Sequence, residues 1–238
     1  MNIESLEIAL DDAPIESVSA RLNAPHSRSA SDASSGEHPR HAILLAHGAG
    51  APMDSPFMET LATGLAGPST PVLRFNYAYS ERMQRENKRR PPDRRPLLEN
   101  VHRAALATLR ERYPDHNVIL AGKSMGGRLS SLLASEGVPC TALIFFGYPL
   151  HAPGRTEKLR SAHFEAIEQP TLFLQGSRDA LCQLDLLRPE LKRFRVPPKL
   201  HVIEDADHDF KVPKRSGRDR DDVLSELART SRDWLGAL

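Results

Sequence analysis

Val118-Ile119-Leu120-Ala121-Gly122-Lys123-Ser124-Met125-Gly126-Gly127-Arg128 decides the reading of this chain. An apolar run of strand character, Val118 to Ala121, meets a G-x-S-x-G turn at Gly122 to Gly126, and a helix-like run from Arg128 to Glu136 follows. A serine on a sharp turn between a buried strand and a helix has its hydroxyl thrust out of the fold. The small residues at 122 and 126 let backbone pack against backbone there. The N-terminus of the following helix aims N–H groups at whatever the serine attacks. Ser124 is therefore a candidate nucleophile, against the plainer alternative of an N-cap in a glycine-rich turn. Gly122-Lys123-Ser124 also resembles the end of a phosphate-binding loop. That loop needs a glycine at residue 117, which is Asn, and the intervening residues are strand-like rather than a string of free amides.

The rest of the chain alternates in the same way. Strand-like runs recur at His41–Ala46, Val72–Phe75, Val118–Ala121, Ala142–Phe146, Thr171–Leu174 and Leu200–Ile203, nearly all of them continuously apolar, as in strands buried on both faces of a parallel sheet. Helical stripes lie between them: Phe57, Leu61 and Leu65; Leu98, Val101, Ala105 and Leu109; Leu129, Leu132 and Leu133; Val223, Leu224, Leu227 and Trp234. Two more strands are expected near Ile3–Leu10 and Ile15–Leu22. The pattern predicts a doubly wound, mostly parallel sheet in a three-layer α/β/α sandwich, one domain over residues 1–238. A Ser-rich stretch at about 25–40 reads as a flexible loop. Between Glu81 and Arg95 seven basic and three acidic residues make a basic loop at about 80–96. It is either a solvated loop or an anion-attracting flap beside the site.

In such sheets ligands sit at the carboxyl ends of strands. After His41–Ala46 comes His47-Gly48-Ala49-Gly50, whose backbone can approach a ligand closely. With the N–H of Met125, the N–H of Ala49 or Gly50 would form an oxyanion hole. A dinucleotide fingerprint is the rival reading, but Met53 stands where its third glycine belongs. His47 is expected to brace this loop through a hydrogen bond. Thr171–Leu174 leads to Asp179, and Leu200–Ile203 leads to His208. The order Ser124, Asp179, His208 suits a triad mounted on this architecture, with His208 as general base and Asp179 orienting it; Asp185 and Asp205 are the reserve acids. Met53, Phe57, Tyr77 and Tyr148, with Tyr79 and Phe210, are candidates for the substrate pocket or for the core. Asp205, Asp207 and Asp209 alternate like the start of a calcium loop, but Phe210 occupies the turn-glycine position and Ser216 the final acid position. No metal and no cofactor are expected.

Net charge is +1 and there are two cysteines, Cys140 and Cys182. The balance gives no field for nucleic acid, and the cysteine usage suits a reducing compartment. With no apolar run near the roughly 20 residues of a membrane span and no signal pattern at the N-terminus, a cytoplasmic protein is expected, its oligomeric state undetermined.

Taken in order, Ala46-His47-Gly48-Ala49-Gly50, Met53-Asp54-Ser55-Pro56-Phe57-Met58, Arg74-Phe75-Asn76-Tyr77, Gly122 to Arg128, Gly176-Ser177-Arg178-Asp179 and Ala206-Asp207-His208 resemble the α/β-hydrolases. The resemblance is to the dienelactone-hydrolase-like branch, and most nearly to the hydrolase-like family that includes a testis-expressed protein and a subunit of a eukaryotic histone-acetyltransferase (NSL) complex. It implies the fold and an intact Ser–Asp–His set, not a substrate. Two functions follow: a serine hydrolase acting on a small-molecule carboxylic ester, thioester or lactone, or a catalytically silent hydrolase-fold interaction module that uses Arg82–Arg95 to hold an acidic partner. Leu150 to Ile167 is the one candidate for a short lid.

Overall fold

A computed structural model describes residues 2–24 and 40–238; the Ser-rich stretch expected to be a flexible loop lies outside the described residues, apart from Arg40. Among the described residues eight strands form one sheet: β1 (Asn2–Ala9), β2 (Ser17–Ala24), β3 (His41–Ala46), β4 (Val72–Phe75), β5 (Asn117–Lys123), β6 (Ala142–Phe146), β7 (Thr171–Gly176) and β8 (Lys199–Ile203). Their order across the sheet is β1-β2-β4-β3-β5-β6-β7-β8. Only β1 and β2 run antiparallel to their neighbours; from β4 to β8 every pairing is parallel, with Ile43 opposite Ile119 and Ala121 opposite Ile144.

Side-chain alternation splits the core between the two faces of this sheet. Leu44, Leu120, Phe145 and Phe173 face one apolar cluster, shared with α3 (Arg95–Arg112), α4 (Met125–Ser135) and α5 (Leu184–Leu191). Ile43, Ile119, Ala121, Phe146 and Leu174 face the other, beneath α1 (Pro56–Leu65) and α6 (Arg220–Leu235). This two-sided burial is why the central strands read as continuous apolar runs, and it makes the fold the expected three-layer α/β/α sandwich. Pro56 opens α1, where a missing N–H costs nothing. A reciprocal capping box between Asp219 and Asp222 opens α6.

The basic stretch differs from its expectation. It begins inside α2 (Ala78–Glu86), and α3 starts at Arg95, so only residues 87–94 lie outside helices. Arg82 pairs with Asp93, Arg85 with Glu81, Arg90 with Glu86, and Arg95 with Glu99 and Glu136.

Candidate functional site

Parallel β3, β5, β7 and β8 bring their carboxyl ends to one edge of the sheet, and the candidate residues gather there. Ser124 sits between β5 and α4 at φ 50°, ψ −114°, a backbone conformation that costs a non-glycine residue about 1–3 kcal/mol. Close packing around it holds that conformation. A Cβ built on Gly122 would lie 2.3 Å from Gly127 N, and one on Gly126 would lie 2.5 Å from Ala46 O. The glycines thus lock the turn against β3 and the first turn of α4. Ser124 N donates to Phe146 O at 3.0 Å, and its carbonyl accepts from Arg128 N at 3.0 Å.

Ser124 Oγ is 2.8 Å from His208 Nε2, and His208 Nδ1 is 2.7 Å from Asp179 Oδ2. The Asp179 side chain is fully buried, whereas the His208 side chain keeps 20% exposure. Asp179 Oδ2 also accepts from Gln175 Nε2, and its Oδ1 accepts from Leu181 N at 2.7 Å. Gln175 is held in turn by Tyr148 N, which donates to its Oε1 at 2.9 Å. The carboxylate therefore has a fixed orientation toward the imidazole. The reserve acids stand elsewhere: Asp205 faces Arg215 at 3.8 Å, and Asp185 lies in the first turn of α5. Asp207 organises the histidine loop, its Oδ1 accepting from the N–H groups of Asp209 and Lys211 at 2.9 Å each.

The loop after β3 is braced from below. His47 Nε2 accepts from Tyr77 N at 3.2 Å, which leaves Nδ1 to carry the proton and donate to Gly48 O at 2.7 Å. Burial lowers the His47 pKa to about 4, so the ring is neutral near pH 7. Tyr79 OH donates to Gly48 O at 3.3 Å and Ala49 O at 3.2 Å. Peptide planarity sets each N–H opposite its carbonyl, so the Ala49 and Gly50 amides point away from Tyr79 and His47.

A cavity of about 530 Å³ opens beside Ser124, walled by the Gly48–Ala51 loop, residues 55–58, Leu181 and His208, with Lys123, Asp209, Lys211 and Arg220 adding charge. Phe57 lines it. Met53, Tyr77 and Tyr148 do not, and their expected pocket role is corrected. Met53 is completely buried, its N–H donating to Asn76 Oδ1 and its carbonyl accepting from Arg74 Nη1. Tyr77 turns inward to His102 Nδ1 at 3.0 Å, and Tyr148 donates to Arg160 O at 2.9 Å. Tyr79 lies behind the loop, and Phe210 stacks on Phe57, ring centroids 5.9 Å apart. Placement also bears on two readings that the sequence leaves open. No residue of 81–95 lines the cavity, so the basic stretch forms no flap over it. Leu150, Phe164 and Ile167 are buried against Tyr148, Phe173 and Phe194, and no residue of 150–167 lines the cavity, so this segment is no lid.

Three contributors had no distinctive motif: Gln175, Tyr79 as a brace, and Lys123. A polar residue ending an otherwise apolar strand was the available signal for Gln175 and Lys123. Among the described residues no group of three or more His, Cys, Asp or Glu is placed to hold a metal ion, and no helix is long and apolar enough to cross a membrane.

The alpha/beta hydrolase domain family model matches residues 39–236. The chain belongs to that family. Solved structures similar to it include a serine hydrolase without lid from Xanthomonas campestris, 22% identical, covering 99% of this chain and 97% of that one, TM-score 0.69. A dienelactone hydrolase from Anabaena variabilis is 19% identical, with 98% and 96% covered and TM-score 0.72. An esterase domain from Rhodothermus marinus is 16% identical, with 100% and 99% covered and TM-score 0.70. At these identities the likeness is one of fold.

Proposed function

We propose that the protein is a serine hydrolase that cleaves a carboxylic ester, thioester or lactone through an acyl-enzyme on Ser124. The observation that carries this reading is the unbroken hydrogen-bond path from Ser124 Oγ through the His208 ring to Asp179, at 2.8 and 2.7 Å. Ser124 Oγ attacks the acyl carbonyl while His208 Nε2 takes the hydroxyl proton. His208 returns that proton to the leaving oxygen or sulfur as the tetrahedral intermediate collapses. A water, deprotonated by the same nitrogen, then releases the acid and restores Ser124. Asp179 holds the Nδ1–H tautomer and stabilises the imidazolium.

The developing oxyanion is assigned to the N–H of Met125, the first residue of α4, together with Ala49 or Gly50 from the braced loop. Each such donor is worth about 100- to 1000-fold in rate. Phe57, Met58 and Leu181 give the cavity wall its apolar character, and no residue of 150–167 contributes to that wall, so a small, accessible acyl group suits it. The resemblance of the motif set to the hydrolase-like family of the NSL-complex subunit supports assigning the chain to that branch as part of this proposal, and its free Cys140 and Cys182 suit a cytoplasmic setting.

The test is acyl-enzyme trapping. Mixed rapidly with p-nitrophenyl acetate, the protein should release a burst of nitrophenol approaching one equivalent and gain an acetyl mass on the Ser124 peptide. Turnover that persists undiminished in Ser124→Ala, or no turnover of any ester, thioester or lactone tried, contradicts the assignment.

A further inference from the structure

Lys123 is a charged residue buried at the floor of the site. It ends β5 directly before Ser124, its stem lies beside Gly48, and it is only 8% exposed. Among the described residues no carboxylate comes within ion-pair distance of its ammonium; Nζ instead donates to His208 O at 2.7 Å. It also lies 5.8 Å from the centre of the Phe210 ring. A buried ammonium without a paired acid is costly to keep, and this one is fixed on the backbone of the residue whose ring must meet Ser124.

Resting on the hydrolase reading above, we propose that Lys123 is a positioning residue: its ammonium, by holding the His208 carbonyl, sets the contact between the His208 imidazole and the Ser124 hydroxyl. The histidine loop needs such a tether. It contains two residues at positive φ, Asp205 at 60° and Phe210 at 59°, on either side of His208. Its other bonds are local or reach the β7 side: Arg178 N donates to Ala206 O at 2.9 Å, Asp207 N to Lys211 O and Phe210 N to Asp207 O at 3.0 Å each, and Asp207 Oδ1 accepts from Asp209 N and Lys211 N at 2.9 Å each. Among the described residues, only the Lys123 bond joins His208's own backbone to β5, the strand that ends at the nucleophile's neighbour. Because the two residues joined are the neighbour of the nucleophile and the base itself, the bond fixes the one distance on which proton transfer depends.

The tether is also titratable. Burial lowers the Lys123 pKa to about 8, against the attraction of Asp209, Asp179 and Asp207. The other charged or titratable groups facing the same space are His208, Lys211 and Arg220, which line the cavity. Above that pH the amine is neutral, and the bond it donates loses its charge assistance. Positioning by Lys123 therefore adds an alkaline limb to the reaction.

The experiment is the second-order rate of Ser124 labelling by a fluorophosphonate from pH 6 to 10, for the wild type, Lys123→Met and Lys123→Gln. Wild type should lose rate through a break near pH 8. Lys123→Met keeps the apolar stem, removes the donor, and should label about fivefold or more slowly at pH 7 with no break there. Lys123→Gln has a donor that does not titrate; it should regain part of the lost rate, also without the break. A merely structural role would lower the melting temperature and leave the break in place. Wild-type labelling with no break between pH 7 and 9 overturns the proposal and leaves the hydrolase reading standing, as does a break that persists in either variant. A wild type that never labels overturns both.

Discussion

The strained backbone of Ser124 can be read out by replacing it twice. Ser124→Ala and Ser124→Gly both delete the hydroxyl and its bond to His208, so that loss cancels between them. What remains is the cost of holding a Cβ at φ 50°, ψ −114°, about 1–3 kcal/mol. Alanine bears it; glycine does not. Against glycine stand about 0.5–1 kcal/mol of extra backbone entropy and about 0.4 kcal/mol for a half-buried methyl at half the usual burial value. Glycine should therefore be the more stable variant by about 1 kcal/mol, a reversal of the ordinary ranking. For a chain of this length that is about 2–4 °C in melting temperature. Urea titration and calorimetry of the two inactive variants, side by side at pH 7, measure it. An alanine variant as stable as the glycine variant, or more so, would refute the claim that the turn stores strain at the nucleophile.

Other outcomes follow from the same geometry. Gly126→Ala places a methyl 2.5 Å from Ala46 O and should lower stability by about 1–3 kcal/mol or more, whereas Gly67→Ala, with nothing within 4 Å, should stay within about 0.5 kcal/mol in the same melts. Asp179→Asn should keep the fold, by circular dichroism, and reduce acylation of Ser124 by on the order of 10⁴-fold, because the amide favours the wrong imidazole tautomer. Tyr79→Phe removes the hydroxyl that orients the Gly48 and Ala49 carbonyls; kcat should fall about three- to tenfold with KM little changed. Burial lowers the pKa of His47 to about 4 and of His102 to about 3, from 6.5. Their contribution to stability is complete above pH 6.5 and is lost as pH falls toward 4 and 3, since the unfolded chain binds the extra protons. Melting temperature should decline over that window, and His102→Leu should flatten the decline.

Much of this was readable before any coordinates, for identifiable reasons. The central strands announce themselves because both faces are covered, so Ile43, Leu44 and Leu45 are all apolar and all buried. The Ser124 turn was legible because a G-x-S-x-G has meaning only between a strand and a helix, and both flanks were visible. Helix α2 was hidden because the side it buries includes Ser80 and Glu81, whose carboxylate takes bonds from Ser19 and Asn76. Helix α5 was hidden by its length of eight residues and by Pro189 inside it. Tyr77 and Tyr148 follow strand ends, but chain position does not say which way a ring turns, and both turn into the core. Lys123 occupied an unconstrained position of its motif; only the fold of residues 204–211 over β5 reveals what it holds.

The central claim is that Ser124 is an activated nucleophile, and mass spectrometry after treatment with a fluorophosphonate tests it most directly. The account predicts a single stoichiometric adduct on the Ser124 peptide of the wild type and none on Ser124→Ala or on heat-unfolded protein. A folded wild-type protein that takes up no adduct, or an adduct that persists in Ser124→Ala, would contradict it.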